Sequence, residues 1–227
     1  MYTFDWLKFA RVALGTREIK RMGDGGASAF SSMDSTALEG PVLVYLVGWP
    51  GTGKQTIGHA MQRLVPTCHF FSNHHVIDLA KAIAGPRGSA SPSYQRIRGD
   101  VHANAVDLLL SQLRATNAPA IMTGAHAGGA GDVGVFGNVY AAATHAGIPV
   151  VGVLLRCSLE ENKRRVATDE RQGRKLTNPD DLDTIYATKT LFDAVPHPID
   201  LDVTHMSPDE AAHCIWTHVR HVRNNLP

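Results

Sequence analysis

Val42-Leu43-Val44-Tyr45-Leu46-Val47 runs directly into Gly48-Trp49-Pro50-Gly51-Thr52-Gly53-Lys54-Gln55-Thr56, and the junction of these two stretches decides the fold. The first is an unbroken apolar run, the composition of a short strand buried on both faces. The second satisfies G-x-x-x-x-G-K, and a helix-forming stretch follows it at Thr56–Leu64. In such a strand–loop–helix frame, glycines let the backbone wrap a phosphate, the helix presents its positive end, and the lysine adds a mobile cation. The reading is a binding loop for a purine nucleoside triphosphate, ATP or GTP, formed by Gly48, Trp49, Pro50, Gly51, Thr52, Gly53, Lys54, Gln55 and Thr56.

Working outward, short apolar runs alternate with longer helical stretches. Cys68–Phe71, Pro119–Thr123, Pro149–Leu155 and Ile199–Val203 read as further strands. Helices are expected over Asp100–Ala115, Val135–Ala146, Leu159 to about Glu170, and from Ser207-Pro208-Asp209-Glu210 to about Val222. Ser158 with Glu161 has the spacing of a helix-starting capping box. This alternation specifies an α/β chain: a five-stranded parallel sheet between two helical layers. Gly85–Pro92 reads as a mobile loop.

The position after Lys54, where a magnesium-ligating Ser or Thr is usual, is Gln55, and Thr56 follows. Gly48–Thr56 nevertheless resembles the G-x-P-G-x-G-K-x-T loop of the nucleoside monophosphate kinases, which also carries its threonine two places after the lysine. The resemblance implies a P-loop nucleotide or small-molecule kinase, of the same broad kind as shikimate and gluconate kinases, using ATP and Mg2+. On it, Thr56 becomes a phosphate contact and candidate metal ligand. Arg156–Asp183 looks like the lid region of such kinases and contains Arg164, Arg165, Arg171, Arg174 and Lys175. Permanently charged guanidinium groups suit the charge that develops on a transferring phosphoryl group. The candidate catalytic residues are therefore Lys54, Arg165 and Arg171, although spacing alone does not say which arginine points inward.

The same resemblance puts an acid at the end of the second strand, but here the stretch is His69-Phe70-Phe71-Ser72-Asn73-His74-His75. His74, His75 and Asp78 are the local groups able to accept or orient an acceptor's hydroxyl proton, and a helix-capping role for the histidine pair is the alternative. Arg96 and Arg98 could hold an anionic group on the acceptor or be ordinary surface charge. The third strand ends at Thr123-Gly124 without an aspartate, which argues against a mechanical ATPase. Gly124–Gly131 is a glycine-rich loop.

Lys+Arg at 22 against Asp+Glu at 21 gives a net charge of +1, so nothing in the overall field favours nucleic acid or an acidic membrane. Cys68, Cys157 and Cys214 have neither metal-ligand nor disulfide spacing and fit a reducing, cytoplasmic setting. No apolar run approaches the roughly 18 to 20 residues of a membrane span. Phe4–Met22 reads as a weakly amphipathic basic helix, open to interpretation as a docking segment or mitochondrial presequence, and Gly23–Gly40 as a linker. Two units are expected, 1–40 and a kinase-like domain over 41–227. The functional expectation is transfer of the γ-phosphoryl group of ATP to a small molecule. A nucleotide-binding regulatory protein with degenerate catalysis, or a partner-stimulated hydrolase, is the alternative.

Overall fold

A computed structural model describes residues 40–124, 126, 130–167 and 178–226. The expected N-terminal helix and linker, residues 125 and 127–129 of the Gly124–Gly131 loop, and the lid residues Arg171, Arg174 and Lys175 lie outside the described residues.

Five strands form one sheet: β1 (Leu43–Gly48), β2 (His69–Phe71), β3 (Ala120–Gly124), β4 (Val150–Arg156) and β5 (Ile199–Asp202). Their order is β2-β3-β1-β4-β5, and every pairing is parallel. Among the described residues seven α-helices accompany them: α1 (Lys54–Leu64), α2 (Asn73–Ala84), α3 (Tyr94–Thr116), α4 (Ala130–His145), α5 (Leu159–Val166), α6 (Asp180–Thr188) and α7 (Pro208–Asn224). Because β1 is central, it must be apolar on both faces, and all six of its residues are buried. Val44 and Leu46 pack with Ile57 and Met61 of α1 and Ile215 and Trp216 of α7. Leu43, Tyr45 and Val47 point the other way, among Leu110 and Leu113 of α3 and Phe136 of α4. The strand's period of two thus separates two cores, and the result is the three-layer α/β/α fold.

Trp216 is fully buried and its indole N–H donates to the Met61 carbonyl at 2.9 Å, fixing α7 against α1. Ser207 and Glu210 form the anticipated reciprocal cap on α7, with Pro208 in its first turn. Ser158 caps α5 by accepting the Glu161 N–H at 3.3 Å.

The structure moves several boundaries. The long helix α3 begins at Tyr94, six residues before the expected Asp100, because buried Tyr94 anchors a first turn whose Arg96, Arg98 and Gly99 hide the apolar period. Helix α5 stops at Val166 instead of near Glu170. Helix α6 was not anticipated, although Asp180, Asp181 and Asp183 in its first turn complement the helix dipole. A short 3₁₀ turn, Gly88–Ala90, interrupts the expected loop.

Candidate functional site

The strand order changes direction around β1, since β3 lies on one side of it and β4 on the other. In open parallel sheets the crevice beyond the carboxyl ends at such a point is where ligands bind. Gly48–Thr56 occupies that place, between β1 and α1. Gly51 (φ +96°) and Gly53 (φ +90°) adopt left-handed conformations that favour glycine. Gly53 is the N-cap of α1 and contributes no side-chain cap, so the positive end of the helix opens directly onto the loop. The loop is held from within: Thr52 Oγ1 donates to the Trp49 carbonyl at 2.9 Å, and Lys54 Nζ donates to the carbonyls of Gly48 at 2.6 Å and Trp49 at 2.8 Å. The ammonium group therefore stands over the loop. Gln55 is half-buried and Thr56 is exposed on the first turn of α1.

The two adjacent arginines of α5 go opposite ways. Arg165 is half-buried; its Nε donates to Glu161 at 2.8 Å and its Nη2 to the carbonyls of Val203 at 2.8 Å and Thr204 at 3.1 Å. A side chain on Gly53 would begin 3.9 Å from Arg165 Nη1, which places this guanidinium beside the phosphate loop. Arg164 turns outward and pairs with Glu161 at 2.6 Å. Hydrogen bonds from Arg164 first, then Arg165, hold the Glu161 carboxyl down at about 2. Next to this pair lies an open surface depression of about 500 Å³ lined by Ser158, Glu160, Glu161, Arg164, Asp202, Thr204 and His205.

Across the sheet, Ser72 and Thr123, at the ends of β2 and β3, are built into the fold. Ser72 caps α2 by accepting the His74 N–H at 3.3 Å, and Thr123 Oγ1 accepts the Asn73 N–H at 3.1 Å. His74 is half-buried in the first turn of α2. His75 is exposed with its ring against Phe71, and Asp78 is exposed. Arg96 points to solvent and pairs with Asp100 at 3.0 Å, so it is not brought to the cleft. Arg98 is half-buried near His102.

Sequence reasoning missed His126, His102 and Asn162. His126, inside the glycine-rich loop, is buried and its Nε2 lies 2.6 Å from the Tyr45 hydroxyl. Burial, then the nearby His126 and Arg98, push the His102 imidazole down to about 4. Asn162 of α5 is fully buried, and its Nδ2 donates to the Tyr186 hydroxyl of α6 at 3.0 Å. The histidine between glycines was a legible signal; an asparagine buried on a highly charged helix was not.

Among the described residues, no group of three or more His, Cys, Asp or Glu is placed to hold a metal ion, and no helix is long and apolar enough to cross a membrane. The loop's donors fit a triphosphate. For magnesium the loop offers the Thr56 hydroxyl, so an ion there would be held largely by phosphate oxygens and water.

No protein-family model matches the sequence, and no curated protein does. Solved structures do share the fold. Shikimate kinase from Acinetobacter baumannii in complex with shikimate is 21% identical, with a TM-score of 0.54 over 85% of this chain and 99% of that one. Mycobacterium tuberculosis APS kinase in complex with AMPPNP and APS is 13% identical, with a TM-score of 0.53 over 80% and 99%. The Deinococcus radiodurans tunicamycin resistance protein is 16% identical, with a TM-score of 0.55 over 79% and 95%. The chain has the P-loop small-molecule kinase fold.

Proposed function

We propose that this protein is an ATP-dependent phosphotransferase acting on a small molecule, with residues 41–227 as the kinase domain and 1–40 appended to it. The observation that carries the reading is the convergence of Lys54 and Arg165 on a glycine loop that leads into the N-terminus of α1. Similarity of fold to kinases supports it.

In this reading the N–H groups at the start of α1 and the Lys54 ammonium hold the β- and γ-phosphates, and the open depression of about 500 Å³ beside Arg164 receives the base. Thr56 would help hold a magnesium ion, which would supply charge neutralisation when bound with the triphosphate. Arg165 is fixed by three acceptors, so it offers donors without reorganisation, which is how positioned charge lowers a phosphoryl-transfer barrier. Arg171 would add a second cation from the lid. The acceptor's hydroxyl oxygen forms a bond to the γ-phosphorus as the bridging bond to the leaving nucleoside diphosphate breaks, and His74 takes the hydroxyl proton. His75, Asp78 and Arg98 would bound the acceptor, with Arg96 turned away from it. Free Cys68, Cys157 and Cys214 agree with a cytoplasmic setting.

A second reading, a nucleotide-binding regulatory protein, is favoured by one observation: Ser72 and Thr123 spend their hydroxyls on the α2 N-terminus where a catalytic carboxylate would stand. Purified full-length protein incubated with Mg·ATP and a set of hydroxylated acceptors decides between them. Conversion of ATP to ADP that depends on one acceptor class supports the phosphotransferase. Saturable binding with no turnover on any acceptor favours the regulator.

A further inference from the structure

Asn162 carries an anomaly that the kinase reading leaves unused. Its carboxamide oxygen is fully buried and has no hydrogen-bond partner. Buried polar atoms are almost always paired, and leaving one unpaired costs stability. The amide cannot escape this by turning over. Tyr186 gives its single hydroxyl proton to the Cys157 carbonyl at 2.9 Å, so toward Asn162 it can only accept, and Nδ2 must face it at 3.0 Å. The oxygen is thereby aimed the other way, at the phosphate loop.

What it meets there is Gly51. A Cβ at Gly51 would overlap Asn162 Oδ1 and would come within 2.7 Å of Val166 Cγ2, so the oxygen rests against the Cα–H face of the loop's middle glycine. A C–H group is a weak donor. A few residues away the imbalance is reversed: the Trp49 carbonyl accepts from Thr52 N, Thr52 Oγ1 and Lys54 Nζ. Tyr186 also packs its ring near Trp49, with centroids 6.5 Å apart. This one amide of α5 therefore touches the turn of the loop and the Tyr186 hydroxyl of α6, and through Tyr186 it reaches the carbonyl of Cys157, the residue after β4.

We propose that Asn162 is a positioning residue of the phosphate loop: it fixes the glycine turn at Gly51 and, through Tyr186, couples that turn to α5 and α6. The significance for nucleotide affinity rests on the reading of this loop as the triphosphate site; the coupling itself does not. Asn162 touches no phosphate in this arrangement. Its carbonyl sets where the Gly51 peptide lies, and the Tyr186 bond keeps the carbonyl pointed there.

The experiment compares full-length wild type, Asn162→Ala and Tyr186→Phe by hydrogen exchange without nucleotide, thermal unfolding, and calorimetric titration with AMPPNP and magnesium. In Asn162→Ala the amides of residues 51–55 should exchange about tenfold faster while those of β1 and β4 keep their protection, and AMPPNP should bind about tenfold more weakly. Tyr186→Phe should move both readouts the same way by less, and it carries the test if Asn162→Ala does not fold. Unchanged protection over 51–55, or protection lost evenly along the chain with a lower Tm, overturns the proposal. Wild type that fails to bind AMPPNP while the local exchange change is seen removes the kinase reading and leaves the positioning role standing.

Discussion

Lys54 donates its ammonium protons to the Gly48 carbonyl at 2.6 Å, closing the loop that it terminates. The cation is held where a phosphate would compete for it, because a carbonyl dipole is a weaker partner than a phosphate oxygen. Lys54→Ala should leave the Tm within a degree or two and reduce turnover by about 10²-fold or more, the usual loss for one positioned donor. Thermal unfolding and steady-state ADP release check the two halves.

Arg164 and Arg165 are neighbours in sequence with opposite expected phenotypes. Arg165→Ala removes a guanidinium bonded to Glu161, Val203 and Thr204 beside Gly53, and should cost about tenfold to 10²-fold in turnover. Arg164→Ala removes an exposed ion pair at the edge of the proposed base site and should change kcat less than threefold, with any loss appearing in the KM for ATP. Parallel kcat and KM measurements on the two variants separate them.

Gly51→Ala meets two obstacles, a φ of +96° and the Asn162 oxygen in the space a Cβ needs. Backbone strain of this kind costs of order 1–3 kcal/mol, and the overlap adds to it. The Tm should fall, and a denaturant titration should show the lower midpoint with the slope unchanged. A variant as stable as wild type would mean that the loop can flatten.

Stability should depend on pH through His102. Its folded pKa is about 4, lowered by burial first and then by His126 and Arg98, against about 6.5 in the unfolded chain. Between those values the unfolded chain binds a proton that the folded chain does not, so stability falls as pH drops from about 6.5 to 4. His102→Gln should flatten that limb of a Tm–pH profile and leave the plateau above pH 7 in place.

Much of the fold was legible because β1 and its loop speak in two independent ways, an apolar run and a glycine–lysine spacing that agree in place. The cap of α7 was readable for the same reason, since Ser207, Pro208 and Glu210 all report on backbone geometry within one turn. Helix α3 was cut short because Arg96, Arg98 and Gly99 dilute its period, and only burial of Tyr94, a tertiary event, shows the true start. The site was legible to the extent that it is local. The anchoring of Arg165 to Val203 and Thr204, the pairing of His126 with Tyr45, and the reach of Asn162 to Gly51 each join segments far apart in sequence, which no spacing rule encodes.

The central claim is that Gly48–Thr56 holds a nucleoside triphosphate. Calorimetric titration of the full-length protein with Mg·ATP, beside Lys54→Ala under the same conditions, tests it most directly. One saturable site in wild type, weakened at least tenfold in Lys54→Ala, is the expected result. No binding in wild type, or equal binding in the variant, would contradict it.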